Sequence, residues 1–288
     1  MRIHLVQHDI AWEQAAQNRA HVSELLATAT LAPGDLVVLP EMFDTGFSFN
    51  VERTADESGT TLAFLGEQAR HFRCWFIAGR TVRAPKDARE GAGDNSERPR
   101  GINRASVIDP EGSEVCTYDK IHLFSPGGEP ERFVPGQEAR VFDWPGNPEA
   151  GRAADPGRPA KRGLRVQPTI CYDLRFPELF RAGLLMGAEL IVVIANWPAG
   201  REAQRRAMLV SRAIENQAFV VGVNRVGRDP KLEYAGGSIV LSPKGEELAE
   251  AGTSECVLSC ELDPGVVARW RAAFSAWKDH RMLPHPRS

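Results

Sequence analysis

Short, unbroken apolar runs recur along this chain and constrain its fold more than any other feature. Leu36–Leu39, Cys74–Ala78 and Leu190–Ala195 each read straight through without polar alternation. A strand with one face in water alternates polar and apolar residues, so an unbroken run suits a strand covered on both faces. Between such runs lie segments with helical spacing: Trp12–Thr30, Thr61–His71, Pro177–Met186 with proline in its first turn, Glu202–Gln217 and Pro264–Trp277. Ile3–Gln7, Leu164–Cys171, Phe219–Asn224, Gly237–Leu241 and Val257–Leu262 add further strands. Ala105–Asp109 and Val115–Tyr118 form a hairpin about Asp109-Pro110-Glu111-Gly112. Alternating strands and helices imply a layered α/β fold.

The 288 residues show neither a repeat nor a convincing linker, so a single main domain is expected. Ala84–Arg104 and Pro145–Arg162 carry little apolar character and read as solvated loops. Hydrophobic residues make up 42% of the chain, enough for a sizeable core. A net charge of -3 offers no field for nucleic acid or an anionic membrane, which favours a small-molecule substrate. No stretch reaches the ~18 apolar residues of a membrane span, and Met1–Trp12 lacks a secretory apolar core. Five scattered cysteines do not suggest a disulfide framework. A cytoplasmic setting follows as the expectation.

Three polar residues stand where apolar strands stop: Glu41 after Val37-Val38-Leu39-Pro40, Lys120 after Cys116-Thr117-Tyr118-Asp119, and Cys171 after Thr169-Ile170. Strand ends at a sheet's rim present side chains to a cleft on a rigid backbone. Taken singly, each has a plainer reading: a turn acid, a surface charge and a small buried hydrophobe. Together they fit amide hydrolysis through a thioester. Glu41 takes the thiol proton and returns it to the departing nitrogen, and Lys120 holds the oxyanion. The backbone N–H of Tyr172, next after the nucleophile, is a second oxyanion donor.

The surrounding residues carry a resemblance. Leu39-Pro40-Glu41-Met42-Phe43, Tyr118-Asp119-Lys120-Ile121-His122-Leu123-Phe124 and Cys171-Tyr172-Asp173-Leu174-Arg175-Phe176-Pro177-Glu178 resemble, in order, the three catalytic blocks of the nitrilase superfamily of carbon–nitrogen hydrolases. Asn196-Trp197-Pro198, Arg212–Gln217, Asn224–Gly227, Gly236-Gly237-Ser238 and Pro243–Glu246 extend it to about residue 265. The resemblance implies an αββα sandwich over residues 1–265 and a Glu41-Lys120-Cys171 catalytic set. It leaves residues 266–288 as a carboxy-terminal helix and tail available for a subunit contact, since the family commonly forms dimers. It also implies a supporting glutamate after the lysine, for which Glu131 matches best and Glu129 is the rival.

Pro40–Phe47 and Ala195–Ala199 look most like the omega-amidase branch, whose members hydrolyse the terminal amide of short dicarboxylate monoamides such as 2-oxoglutaramate. N-carbamoyl amino-acid amidase, deaminated-glutathione amidase and a non-catalytic scaffold of the same fold remain alternatives. Phe43, Asn196 and Trp197 are expected at the pocket. Arg175 either binds a substrate carboxylate or pairs with Asp173 or Glu178 to brace the turn. His122 raises a cysteine–histidine mechanism, which leaves Glu41 and Lys120 unexplained. Cys256 and Cys260 share a strand face without partners for zinc, and no phosphate-binding loop is evident, so neither metal nor cofactor is expected.

Overall fold

The computed structural model describes residues 1–85, 99–147 and 163–281. Along the chain these form β1 (Arg2–Gln7), α1 (Ala15–Ala27), β2 (Leu36–Val38), α2 (Val51–Thr54), α3 (Thr60–Phe72), β3 (Trp75–Arg83), β4 (Gly101–Ile108) and β5 (Glu114–Asp119). Then follow β6 (Phe142–Trp144), β7 (Leu164–Ile170), α4 (Pro177–Leu185), β8 (Leu190–Ile194), α5 (Glu202–Asn216) and β9 (Phe219–Val223). The chain ends with β10 (Val226–Arg228), β11 (Glu233–Ala235), β12 (Ile239–Leu241), β13 (Glu247–Glu250), β14 (Cys256–Glu261) and α6 (Gly265–Ala273).

Two six-stranded sheets result, ordered β14-β1-β2-β3-β4-β5 and β13-β12-β9-β8-β7-β6, with β10-β11 as a separate ribbon. The apolar runs explain the layering. Successive strand residues point to opposite faces. Leu36 and Val38 enter the core shared by both sheets, while Val37 and Leu39 face a second cluster with Val22 and Leu26 of α1 and Leu65 and Ala69 of α3. On the far side Leu179 and Phe180 of α4 and Leu209 and Ala213 of α5 cover the second sheet. The architecture is an αββα sandwich, as the sequence resemblance implied.

β1, β2 and β3 are parallel, as are β7, β8 and β9. β4 reverses the chain and β5 reverses it again. β2 and β5 therefore deliver their carboxyl ends to one edge of the first sheet, as β7 and β8 do for the second. That edge is where ligands meet α/β sheets.

One expectation changes here. The solvated loop expected over Ala84–Arg104 is shorter, because Gly101–Arg104 belongs to β4 and pairs with Thr81–Arg83 and with Arg80 of β3. Hydrophobicity does not mark this part of the sheet, because it buries polar groups such as Arg80, whose Nε donates to Ser106 Oγ at 2.8 Å. Residues 86–98 of that insert, nearly all of Pro145–Arg162 and the end of the carboxy-terminal tail lie outside the described residues.

Candidate active site

Glu41 is placed by a tight turn after β2. Met42 has φ +43 and the Phe43 amide donates to the Gly79 carbonyl at 3.0 Å, which folds the turn down onto β3. A Cβ on Gly79 would sit 2.5 Å from the Glu41 Cα, so only glycine permits this approach. The Glu41 carboxylate is fully buried and accepts three hydrogen bonds. Oε1 accepts from Asn103 Nδ2 at 2.7 Å and Lys120 Nζ at 3.0 Å, and Oε2 from the Asn196 amide at 2.9 Å. Asn196 Nδ2 also donates to the Glu41 carbonyl at 2.6 Å, locking the end of β8 to the turn that carries Glu41.

Lys120 follows β5 and is likewise fully enclosed, with Nζ between two carboxylates. The second belongs to Glu129, which receives Nζ at 3.1 and 2.9 Å, Asn103 Nδ2 at 3.0 Å and the Phe124 amide at 2.6 Å. Burial opposes the ammonium, but Glu129 and Glu41 outweigh it and hold the lysine pKa above its ordinary value. Glu131, the better match by sequence, is exposed and touches none of this cluster. Gly127-Gly128 starts a tight 3-10 turn at Glu129, and such a turn rotates about 120° per residue. Two residues on, the side chain therefore faces away from Lys120.

Cys171 leaves β7 at φ +47 and opens a 3-10 turn, Cys171–Arg175. Left-handed backbone is unfavourable for a residue with a Cβ, and a side chain held in such a turn stands proud of the sheet. Asp173 anchors the turn. Its carboxylate accepts from the Ile170 amide at 3.0 Å, Tyr118 Oη at 2.7 Å, the His122 amide at 3.0 Å and His122 Nδ1 at 2.9 Å. The segment bearing Lys120 is thereby tied to the turn bearing Cys171. The Tyr172 N–H lies in the first turn of that short helix, where amides lack an intrahelical acceptor.

Burial raises the Cys171 thiol pKa well above its usual value, and the Glu41 charge adds to it; Lys120 pulls the other way. The raised pKa favours the thiol over the thiolate, and the Asn196 carbonyl lies 3.9 Å from Sγ. His122 is engaged with Asp173 and stacks on Phe176 at 3.8 Å; among the described residues no histidine hydrogen-bonds the thiol. Such an arrangement supports proton transfer between sulfur and Glu41, not a cysteine–histidine pair.

The sulfur opens onto a cleft beside the end of β8. Phe47, Phe124, Tyr172, Trp197, Leu232 and Tyr234 supply its apolar walls, with Asn196 beside Cys171 and with Arg175 and Arg201 as its charged lining. Phe43, expected there, instead packs with Phe64 at 6.2 Å in the helix-facing cluster. The turn reverses the chain at Met42, so Phe47 reaches the cleft, its ring 5.1 Å from Lys120 Nζ. Arg175 pairs with neither Asp173 nor Glu178; Nη2 donates to Gln204 Oε1 at 2.9 Å. Sequence reasoning missed Asn103, Arg201, Leu232 and Tyr234. Extending the strand alternation back from Ala105 reaches Asn103, whereas the other three are brought in by a turn and a separate ribbon with no local signature.

Residues 2–272 match the carbon-nitrogen hydrolase family model. The chain is 34% identical over 282 residues to "Omega-amidase YafV" of Yersinia enterocolitica, covering 97% of this chain and 96% of that protein. It is 30% identical to the "2-oxoglutaramate amidase" of Bacillus subtilis, covering 97% of each. A solved CN-hydrolase superfamily protein from Xanthomonas campestris, XC1258, which carries an arsenic adduct in its active site, superposes with a TM-score of 0.83 at 32% identity, covering 99% of this chain and 98% of that one. The chain belongs to the carbon–nitrogen hydrolases of the nitrilase superfamily.

Proposed function

We propose that this enzyme hydrolyses the terminal amide of a short dicarboxylate monoamide, with 2-oxoglutaramate as the type substrate, through a thioester on Cys171. The observation that carries the reading is the enclosure of one ammonium, Lys120, by two carboxylates, with Cys171 close enough to feel the charges of all three. Glu41 removes the thiol proton as Sγ bonds to the amide carbon. Lys120 Nζ and the Tyr172 N–H stabilise the resulting oxyanion. Glu41 then protonates the nitrogen, the C–N bond breaks and ammonia leaves. Next, Glu41 takes a proton from water, whose oxygen attacks the thioester; the C–S bond breaks, and the acid and the thiol are restored. Glu129 and Asn103 position Lys120 and Glu41.

The names borne by relatives from Yersinia enterocolitica and Bacillus subtilis support the substrate class. The same reading sets the enzyme in the cytoplasm as a homodimer, with the carboxy-terminal helix region as a subunit contact; exposed Phe274 just after α6 supports the latter. Light scattering measures the oligomeric state. The functional test is ammonia release across a panel of monoamides. A rate on 2-oxoglutaramate no better than on N-carbamoyl amino acids or deaminated glutathione removes the omega-amidase reading.

A further inference from the structure

The catalytic cluster sets a problem for an anionic substrate. Glu41 and Glu129 against Lys120 leave one net negative charge, buried, beside the nucleophile. A substrate carboxylate approaching it is repelled unless the cleft supplies positive charge at the far end. The cleft lining contains Arg175 and Arg201 and no acidic residue.

The two arginines are not equivalent. Arg175 donates to Gln204 and lies 5.9 Å from the Tyr172 ring and 5.3 Å from the Trp197 ring, so it braces the cysteine turn against the cleft wall. Arg201 rests 5.2 Å from the Phe124 ring, and its guanidinium finds no acceptor among the described residues. Its backbone is firmly held: the Trp197 indole N–H donates to the Arg201 carbonyl at 2.9 Å, and the Arg201 amide to the Pro198 carbonyl at 3.0 Å. An arginine with its face on an aromatic ring keeps its planar edge of N–H donors for a carboxylate, which it can meet bidentately.

The geometry points to Arg201 as the residue that reads the far carboxylate of the substrate and so sets the enzyme's preference for amides that end in an acid. This inference rests on the reading under Proposed function and deepens it. The substrates it selects carry a reactive amide at one end and a carboxylate at the other, and neutral amides of similar length are the disfavoured class.

The test measures kcat/KM for ammonia release from 2-oxoglutaramate and from butyramide in the wild type, Arg201→Gln and Arg201→Lys. The ratio of the two values should fall about 10- to 100-fold in Arg201→Gln, as expected for a lost charge-assisted hydrogen bond. The fall should come through KM for 2-oxoglutaramate, with inhibition by 2-oxoglutarate weakened by a similar factor. Arg201→Lys should recover part of the ratio, and it decides alone if Arg201→Gln does not fold. An unchanged ratio in the variants, with the wild-type preference intact, overturns the assignment to Arg201 and leaves the omega-amidase reading standing. A wild type with no preference for 2-oxoglutaramate overturns both.

Discussion

Glu129→Gln isolates the part of the site that sequence reasoning placed second. Every neighbour of the Glu129 carboxylate is a donor: Asn103 Nδ2 and Lys120 Nζ on Oε1, Lys120 Nζ and the Phe124 amide on Oε2. Glutamine keeps the volume, but in either orientation its NH2 faces a donor, so the substitution is not conservative. Removing one partner of a buried ion pair costs about 3–5 kcal/mol, and the lower end applies because Glu41 still holds Lys120. Release of the Phe124 amide loosens the loop and lets Nζ shift, and displacement by ~1 Å can cost about 10²-fold in rate. Expected together are a fall of about 100-fold in kcat/KM for ammonia release and a lower denaturant midpoint. Glu131→Gln, on the exposed neighbour, should change stability by no more than about 0.5 kcal/mol and leave turnover near wild type. If Glu131→Gln were the more damaging of the two, the assignment of the lysine's second carboxylate would be wrong.

Cys171→Ala should abolish turnover while circular dichroism stays native, since only a sulfur facing a cleft is lost; residual activity above about a thousandth would point to another nucleophile. Lys120→Ala should lower kcat by at least ~10²–10³, and a mild effect would remove its oxyanion role. For Cys171, whose pKa is raised by burial and then by the Glu41 charge, alkylation by iodoacetamide should accelerate only above the ordinary thiol range of ~8.5. Glu41→Gln should shift that profile to lower pH and lose amide turnover; an unshifted profile would show that Glu41 does not govern the thiol.

Acid stability depends on two buried groups away from the sulfur. Burial lowers the His8 pKa to about 4, so the unfolded chain takes up a proton that the fold refuses, and stability falls as pH drops from 6.5 towards 4. Burial raises Asp44 to about 6, so the fold keeps a proton that the unfolded chain releases, and its contribution runs the opposite way between about 6 and 3.8. Asp44→Asn should steepen the loss of stability over that window, measured by urea midpoints; an unaltered slope would refute the opposition.

Much of the architecture was legible in the chain because its signals are local. Unbroken runs such as Leu36–Leu39 and Leu190–Ala195 require cover on both faces, and that requirement alone implies a sheet between layers. Glu41, Lys120 and Cys171 could be singled out because each follows a strand within a distinctive block. Strands that bury paired polar groups escaped, since hydrophobicity does not mark them; Asn103, in contact with both Glu41 and Glu129, lies in one.

What the chain determined by itself was the order of strands and helices and the three strand-end groups, a carboxylate at Glu41, an ammonium at Lys120 and a thiol at Cys171. Only the folded structure chose Glu129 over Glu131 and Phe47 over Phe43, because the hand of a short turn decides which of two nearby side chains points inward. Only packing brought Arg201, Leu232 and Tyr234 to the sulfur's cleft, for their place comes from a turn and a ribbon docked across the sheet edge rather than from any pattern in their neighbours. Local sequence encodes which groups are present and on what element; the direction of a side chain at a turn depends on backbone torsions that distant contacts select.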